Sequence, residues 1–293
     1  MNAATRSFPR RLRSSGGALA HRPSPVEALR AAAGLDLLAP HRGSLRIGEL
    51  QADVRIDGGD LLRVRLPLKS PDRAPRLLER QRELPGNVRF ARTRDGLALL
   101  AETWVDGAAH VPRSLGEIAQ GFAVAVDEGC PKPARTHPAH ANPCGESQVS
   151  GQALRAALAG LGWGEDAVVA LDQGWQLRPR AGGNPIAVRL EASDEGLWLW
   201  RRVLERVPAE VGAAAVSDLA LRLNARLRLV RLTLAGGALV AESRAHAGLV
   251  TPAWIALLAR AVAAAYQHVR APLETLAENP RVADGYVRCF LRS

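Results

Sequence analysis

The sequence predicts an α+β fold made of two similar modules in tandem, each an antiparallel sheet with helices packed on it. Three observations indicate this fold: runs of alternating apolar and polar residues joined by glycine turns, apolar stripes at helical spacing after those runs, and a second copy of the whole pattern further along the chain. Strands joined by short hairpins pair antiparallel, and helices then cover one face of the sheet. The order predicted for each module is a helix, three strands, a helix, two strands and a final helix. The opening helices contain residues 28–32 and 153–157, and the middle helices run over about 73–84 and 210–223.

The repeat is clearest near the end of each module, at a constant offset of 140 residues. Gly96 then corresponds to Gly236, and each lies in a turn between two alternating runs. Alanine is frequent in this chain, so the shared pattern is stronger evidence than the number of identities. Other identical pairs at this offset are Ala98 and Ala238, Leu99 and Leu239, Glu102 and Glu242, and Pro112 and Pro252.

Turn and helix signals occur at similar places in both copies. Asp95–Gly96 and Gly236–Gly237 predict hairpin turns, because type I′ turns need positive φ angles. Pro112 and Pro252 are expected at the first position of a helix, where the missing N–H costs nothing. Thr251 can cap the second of these helices.

The chain divides into five predicted segments. A basic tail with five arginines and no acidic residue occupies residues 1–25, and the first module follows over 26–128. A proline-rich linker over 129–150 leads to the second module at 151–270. A helical tail over 271–293 is predicted to form two short helices.

The charge and composition limit the classes of function. The 293 residues carry a formal net charge of +10, and nearly all positive charge is arginine, since lysine occurs only at Lys69 and Lys132. A basic chain favours nucleic-acid binding, but a GC-rich genome supplies the same excess of arginine, alanine and glycine whatever the function. No apolar run approaches the roughly 18–20 residues of a membrane helix, and no export signal follows the arginines of the tail. We therefore expect a cytoplasmic protein that does not bind membranes.

The linker contains the residues that most resemble a metal site. Cys130, His137, His140 and Cys144 together offer two thiolates and two imidazoles, a set that suits tetrahedral zinc. Their spacing is not that of a standard finger, because the two histidines lie between the two cysteines, and four prolines restrict how the loop can fold. We favour a linker without metal and keep a zinc-stapled scaffold as an alternative.

No catalytic motif is recognisable. His110 and His246 fall at similar places after strands, and neither belongs to a set with a nucleophile and an acid. The chain has no Gly-x-Ser-x-Gly elbow and no glycine loop with the lysine of a phosphate site. The sequence therefore predicts no catalytic, cofactor-binding or metal-binding residue and no enzyme activity.

One strand of the second module is apolar on both faces. Trp198 and Trp200 are two residues apart and face the same side, while Leu197 and Leu199 face the other. Such a strand needs a second partner besides its own helix layer. We expect the tryptophans to seal the contact between the modules, and the alternative is a binding site for another protein.

The stretch from Leu219 to Glu242 carries a family resemblance. A helix ends at Leu223–Asn224 and is followed by a strand, a glycine turn, a second strand and a long helix that starts at Pro252. This order resembles the type III secretion chaperone-like fold, which includes the class I secretion chaperones and the YbjN-like proteins. The resemblance implies a non-enzymatic module that binds protein segments and pairs with itself, so the two modules are expected to form an internal pseudo-dimer. Secretion chaperones are typically acidic, and this chain departs from them in being basic.

The sequence therefore predicts an adaptor or chaperone-like protein whose partner is another protein. The alternative from a different class is a nucleic-acid or polyanion binder that uses an arginine-rich surface.

Overall fold

The computed structural model describes residues 35–39, 41–47, 49–58, 61–69, 74–105, 110–126, 151–181, 184–193, 196–246 and 251–291. It confirms the predicted α+β class, with two six-stranded antiparallel sheets and helices packed against them. The basic tail, the opening helix of the first module and the whole predicted linker lie outside the described residues.

The first sheet contains six strands. Its strands are β1 (Leu35–Ala39), β2 (Arg42–Ile47), β3 (Leu50–Asp57), β4 (Leu61–Pro67), β5 (Arg89–Thr93) and β6 (Gly96–Trp104). Their spatial order is β1-β2-β3-β4-β6-β5, and every neighbouring pair is antiparallel. Helix α1 (Ala74–Gln81) precedes β5, and α2 (His110–Val126) follows β6.

The second sheet repeats this arrangement. Its strands are β7 (Val168–Ala170), β8 (Trp175–Leu177), β11 (Val188–Ser193), β12 (Gly196–Leu204), β13 (Arg231–Ala235) and β14 (Ala238–His246), in the order β13-β14-β12-β11-β8-β7. Between β8 and β11 the chain forms a separate two-stranded sheet of β9 (Arg180–Ala181) and β10 (Asn184–Pro185). The helices are α3 (Gly151–Ala159), α4 (Glu210–Asn224), α5 (Pro252–Glu278) and α6 (Pro280–Phe290), and a 3₁₀ turn spans Glu165–Ala167.

Alternation within the strands determines which face of each sheet is covered. In β4, Leu62, Val64 and Leu66 are buried, whereas the arginines between them are only half-buried. In the second sheet, α5 packs across β12 and β14 on the side of the buried Leu197 and Leu199. Each sheet therefore has one face in the core and one face that carries charged side chains.

The structure adds one strand to the three expected before each middle helix. In the first module, β1 and β2 precede the hairpin formed by β3 and β4, and the short sequences of β1 and β2 show little alternation. In the second module a sharp turn at Gly174 makes β7 and β8 separate strands. Gly174 has φ +78°, and a Cβ there would lie 2.2 Å from the carbonyl oxygen of Leu190, so only glycine fits. The two middle helices, α1 and α4, lie where they were predicted.

The repeat register differs by two residues from the sequence match. The hairpin β5–β6 closes at Thr93 and Gly96, and β13–β14 closes at Ala235 and Ala238. Gly96 thus corresponds to Ala238, an offset of 142, and not to Gly236. A shift of two residues keeps every side chain on its own face of a strand, so alternation cannot detect it.

The predicted start of the last helix is confirmed in the second module and is wrong in the first. Pro252 is the first residue of α5, and the backbone N–H of Trp254 donates to Oγ1 of Thr251 at 3.2 Å, which confirms the predicted cap. Pro112 is the third residue of its helix, because α2 begins at His110. The predicted boundary at residue 270 lies inside α5, which continues to Glu278. The buried Leu273 and Leu276 extend its apolar stripe, and α6 follows as a separate helix.

Candidate functional site

The two modules meet along β5 and β13, which are the outermost strands of their sheets. Two buried amides, at the ends of α1 and α4, join the strands. Oε1 of Gln81 accepts from the N–H of Phe90 at 2.6 Å, and its Nε2 donates to the carbonyl of Leu232 at 2.7 Å. Asn224 bonds to the same two residues with the roles exchanged. Its Oδ1 accepts from the N–H of Leu232 at 2.7 Å, and its Nδ2 donates to the carbonyl of Phe90 at 3.1 Å. The contact therefore has an approximate twofold symmetry.

Two fully buried arginines extend this symmetry. Arg89 begins β5, Arg231 begins β13, and each guanidinium donates to two backbone carbonyls of the other module. The distances are 2.9 and 2.8 Å from Arg89 to the oxygens of Asn224 and Leu227, and 3.1 and 2.7 Å from Arg231 to those of Leu84 and Val88.

Each of these arginines is paired with a buried carboxylate. Nη2 of Arg89 lies 3.0 Å from Glu102, and Nε of Arg231 lies 2.7 Å from Glu242. Pairing is necessary because an isolated charge in the interior is very costly. The junction thus buries two charge pairs.

Glu102 is the most heavily bonded of the four. Besides Arg89 it bonds to Arg63 at 2.7 Å, Arg228 at 3.1 Å and the backbone N–H of Leu229 at 3.0 Å. Burial raises the pKa of Glu102, but Arg89, Arg63, the Leu229 N–H and Arg228 together lower it to about 2. Leu229 is held in the left-handed region, with φ +59°, while it makes this bond.

Glu242 connects the junction to the tryptophans. Burial raises its pKa, while Arg244 and Arg231 lower it, and the net direction is down. Burial lowers the pKa of Arg231 to about 10, although Glu242 opposes this. The other oxygen of Glu242 accepts from the indole N–H of Trp198 at 2.8 Å.

Trp198 and Trp200 stack on each other on the face of the second sheet that α5 leaves uncovered. Their ring centroids are 5.5 Å apart, with 27° between the planes. The guanidinium of Arg244 lies over Trp198 at 5.7 Å, and that of Arg189 lies over Trp200 at 5.4 Å. The indole N–H of Trp200 donates to Glu191 at 2.9 Å. We call Arg189, Trp200, Trp198 and Arg244 the tryptophan stack. Both indole N–H groups are bonded and each ring contacts an arginine, while both tryptophans stay half-exposed.

A groove of about 280 Å³ runs between this stack and the β13–β14 hairpin. We call it the junction groove, because Arg82 of the first module lines it together with residues of the second. Arg82 follows Gln81 directly, and Nη2 of Arg244 donates to its carbonyl at 3.1 Å. The groove is therefore complete only when the modules are joined. It is lined by Arg82, Trp198, Trp200, Arg202, Ala235, Gly236, Ala238 and Val240.

The structure places the two tryptophans beside the contact between the modules and not inside it. The contact runs through α1, α4, β5 and β13. The bonds and ring contacts of Trp198 and Trp200 are made within the second module. The expectation that they seal the contact is therefore wrong, and the alternative of an accessible surface describes their position.

The other residues considered from the sequence do not form a site in the described part of the chain. Cys130, His137, His140 and Cys144 lie outside the described residues. His110 begins α2 and His246 ends β14, on different modules. Among the residues that the structure describes, no three or more of His, Cys, Asp and Glu are grouped as metal ligands would be.

No described helix combines the length and the apolar character needed to cross a bilayer.

The buried amides and arginines of the junction were not identified from the sequence. A glutamate repeated at Glu102 and Glu242 was the available signal, since a carboxylate among apolar strand residues needs a buried partner. Their arginine partners lie 13 and 11 residues earlier, but the carbonyls that Arg231 also bonds lie more than a hundred residues earlier.

In comparisons with known proteins, no family model and no curated protein matches the chain. The proposal of function therefore rests on the geometry of the junction groove and the tryptophan stack.

Proposed function

We propose that the chain is a non-enzymatic protein-binding molecule of the cytoplasm, an adaptor or chaperone-like protein that holds its partner at the junction groove. The observation that carries the proposal is the half-exposed pair of tryptophans, fixed in place next to a groove that both modules build. Tryptophan and arginine are enriched among the residues that dominate protein interfaces. A rigid aromatic group also loses little conformational entropy when a partner binds.

The lining of the groove favours a protein segment over the substrate of an enzyme. At about 280 Å³, the groove has room for one or two side chains. The eight described residues that line it include no His, Cys, Ser, Asp or Glu, so they supply no nucleophile or general base.

The arrangement of the tryptophans argues against the nucleic-acid alternative at this site. Single strands bind by stacking their bases on exposed aromatic faces. Here the two indole rings stack on each other and each ring also contacts an arginine, so a base would compete with Arg189 and Arg244 for these rings.

The distribution of arginine also favours protein binding over nucleic-acid binding. On the charged face of the first sheet, arginines alternate with acids that pair with them, so they do not form a continuous basic stripe. The ion pairs are Arg42–Asp53, Arg55–Asp57, Arg63–Asp57, Arg63–Glu102 and Arg65–Asp95.

An affinity capture from extracts of the native host tests the proposal. The bait is the full chain, used with and without nuclease and at low and high salt, and captured proteins are identified by mass spectrometry. We expect a discrete protein that survives both treatments, is lost with Trp200→Ala, and is retained with Val282→Ala, which removes an exposed apolar side chain from α6.

Thermal unfolding of both variants shows that the baits are folded. Loss of every partner on nuclease or salt treatment would refute the proposal and support polyanion binding. Capture that Trp200→Ala leaves unchanged would move the binding site away from the junction groove.

A further inference from the structure

The junction groove has a charge of one sign. Both of its charged residues are arginines, Arg82 from the first module and Arg202 from the second. Arg202 is 48% exposed, and its ion pair is with Glu205, which is itself 81% exposed and outside the groove lining. An exposed pair of this kind contributes at most about 1 kcal/mol and is readily exchanged for another carboxylate.

The space between the two arginines is apolar. One wall is formed by Trp198 and Trp200, and the opposite side by Ala235, Ala238 and Val240. Apolar surface of this kind gains from burial against an apolar side chain. Two cationic side chains at the rim attract carboxylates and repel lysine or arginine.

We propose that the junction groove takes an extended acidic segment of the partner protein, with one apolar side chain held against the tryptophans and flanking carboxylates held by Arg82 and Arg202. This inference rests on the proposed function and specifies the chemistry of the partner. Because Arg82 and Arg202 belong to different modules, the segment bridges the junction. Its recognition therefore depends on the two modules being joined.

The chain's own amino-terminal segment does not fit this site. Residues 1–25 carry five arginines and no acidic residue, so their charge has the same sign as the rim of the groove. We therefore assign the complementary charge to another molecule.

A set of matched peptides tests the proposal with the full-length protein. Each probe is a capped twelve-residue peptide with one leucine at its centre, flanked by serine alternating with glutamate, glutamine or lysine. Binding is followed by tryptophan fluorescence and measured by calorimetry. We expect the glutamate peptide to bind at least about tenfold more tightly than the glutamine peptide, because two ion pairs of about 1 kcal/mol each are then lost. The lysine peptide is expected not to bind.

Two variants that each replace an arginine by glutamate separate an effect of the groove from an effect of net charge. Arg202→Glu is expected to weaken binding of the glutamate peptide by about tenfold or more, because attraction becomes repulsion at the rim. Arg281→Glu, at an exposed position on α6 outside the groove lining, is expected to leave binding within about twofold, because distant exposed charges are screened.

Equal binding of the three peptides, no binding of the glutamate peptide, or an unchanged affinity in Arg202→Glu would overturn the proposal. A single-stranded oligonucleotide is the competing probe. If it binds more tightly than the glutamate peptide and is lost with Arg202→Glu, the acidic-peptide assignment is also wrong.

The host capture experiment distinguishes this failure from failure of the proposed function. A captured protein that depends on Trp200, combined with no affinity for the glutamate peptide, would refute only the acidic segment. Absence of a tryptophan-dependent protein partner would refute both.

Discussion

Glu102 bonds to both modules at the junction. Its carboxylate bonds to three arginines and to one backbone N–H while it is almost completely buried. Removing its charge leaves Arg89 buried without its counter-charge, which typically costs about 3–5 kcal/mol. We expect Glu102→Gln to lower the unfolding temperature by roughly 10 °C.

A glutamate on the surface provides the matched control. Glu205 pairs with Arg202 and is 81% exposed, so Glu205→Gln should cost less than about 1 kcal/mol. Thermal unfolding followed by circular dichroism compares the two variants. Equal effects would show that the buried network contributes no more than a surface ion pair.

The pKa of Glu102 predicts how stability depends on pH. Its arginine partners lower the pKa from 4.5 to about 2, so the folded state binds the proton less readily than the unfolded state. The contribution of this carboxylate to stability is fully present above about pH 4.5 and is lost as the pH falls toward 2. For one group with this shift the loss is on the order of 3 kcal/mol.

Denaturant unfolding between pH 7 and pH 3 measures this loss. Glu242, whose pKa is also lowered, contributes in the same direction. In Glu102→Gln the free energy of unfolding should fall less steeply over the acid range than in the wild type. Parallel pH profiles for the two proteins would contradict the assigned shift.

The ends of α1 and α4 fix the edges of the two sheets to each other. Gln81 and Asn224 each bond to the N–H of one edge strand and the carbonyl of the other, and their side chains contact each other at 3.5 Å. Because β5 and β13 are edge strands, these amides also satisfy backbone groups that would otherwise be exposed to pairing with other chains.

A double-mutant cycle tests whether the two amides act as one unit. Gln81→Ala and Asn224→Ala should each cost about 2–3 kcal/mol, because each leaves buried backbone groups without a partner. The double variant should cost less than the sum by at least about 0.5 kcal/mol, as expected for residues that share partners. Strict additivity of the two free energies would mean that the helix ends are independent.

At the scale of the whole molecule, the junction makes the two modules one folding unit. Arg89 and Arg231 are each buried by the other module, so separating the modules exposes two charge pairs and two sheet edges. We expect a single calorimetric transition whose van't Hoff and calorimetric enthalpies agree. Glu102→Gln should shift this transition without splitting it. Two transitions in the wild type would show that the modules unfold separately.

The sequence was informative where structure depends on neighbouring residues. The α+β class, the middle helices, the cap at Thr251 and the shared face of Trp198 and Trp200 all follow from local periodicity and capping chemistry. The repeat offset was wrong by two residues because strand alternation has a period of two. One of the four strands before α1 was not predicted, because the short runs of β1 and β2 alternate weakly.

The junction and the groove could not be predicted in the same way. Arg89 and Arg231 look like surface arginines until the other module covers them, and their backbone carbonyl partners lie more than a hundred residues away in the sequence. Arg82 joins the groove only because Gln81 is fixed beside β13. Sites built from long-range contacts of this kind leave no local pattern.

Photo-cross-linking in the native host tests the central claim most directly. A benzoylphenylalanine at Ala235 places the reactive group in the junction groove, and the same residue at Ala264 places it on the exposed side of α5. We expect a discrete cross-linked protein from position 235 that is absent from position 264 and is lost when Trp200→Ala is added. Cross-links to nucleic acid alone, or the same products from both positions, would contradict a protein-binding role for this groove.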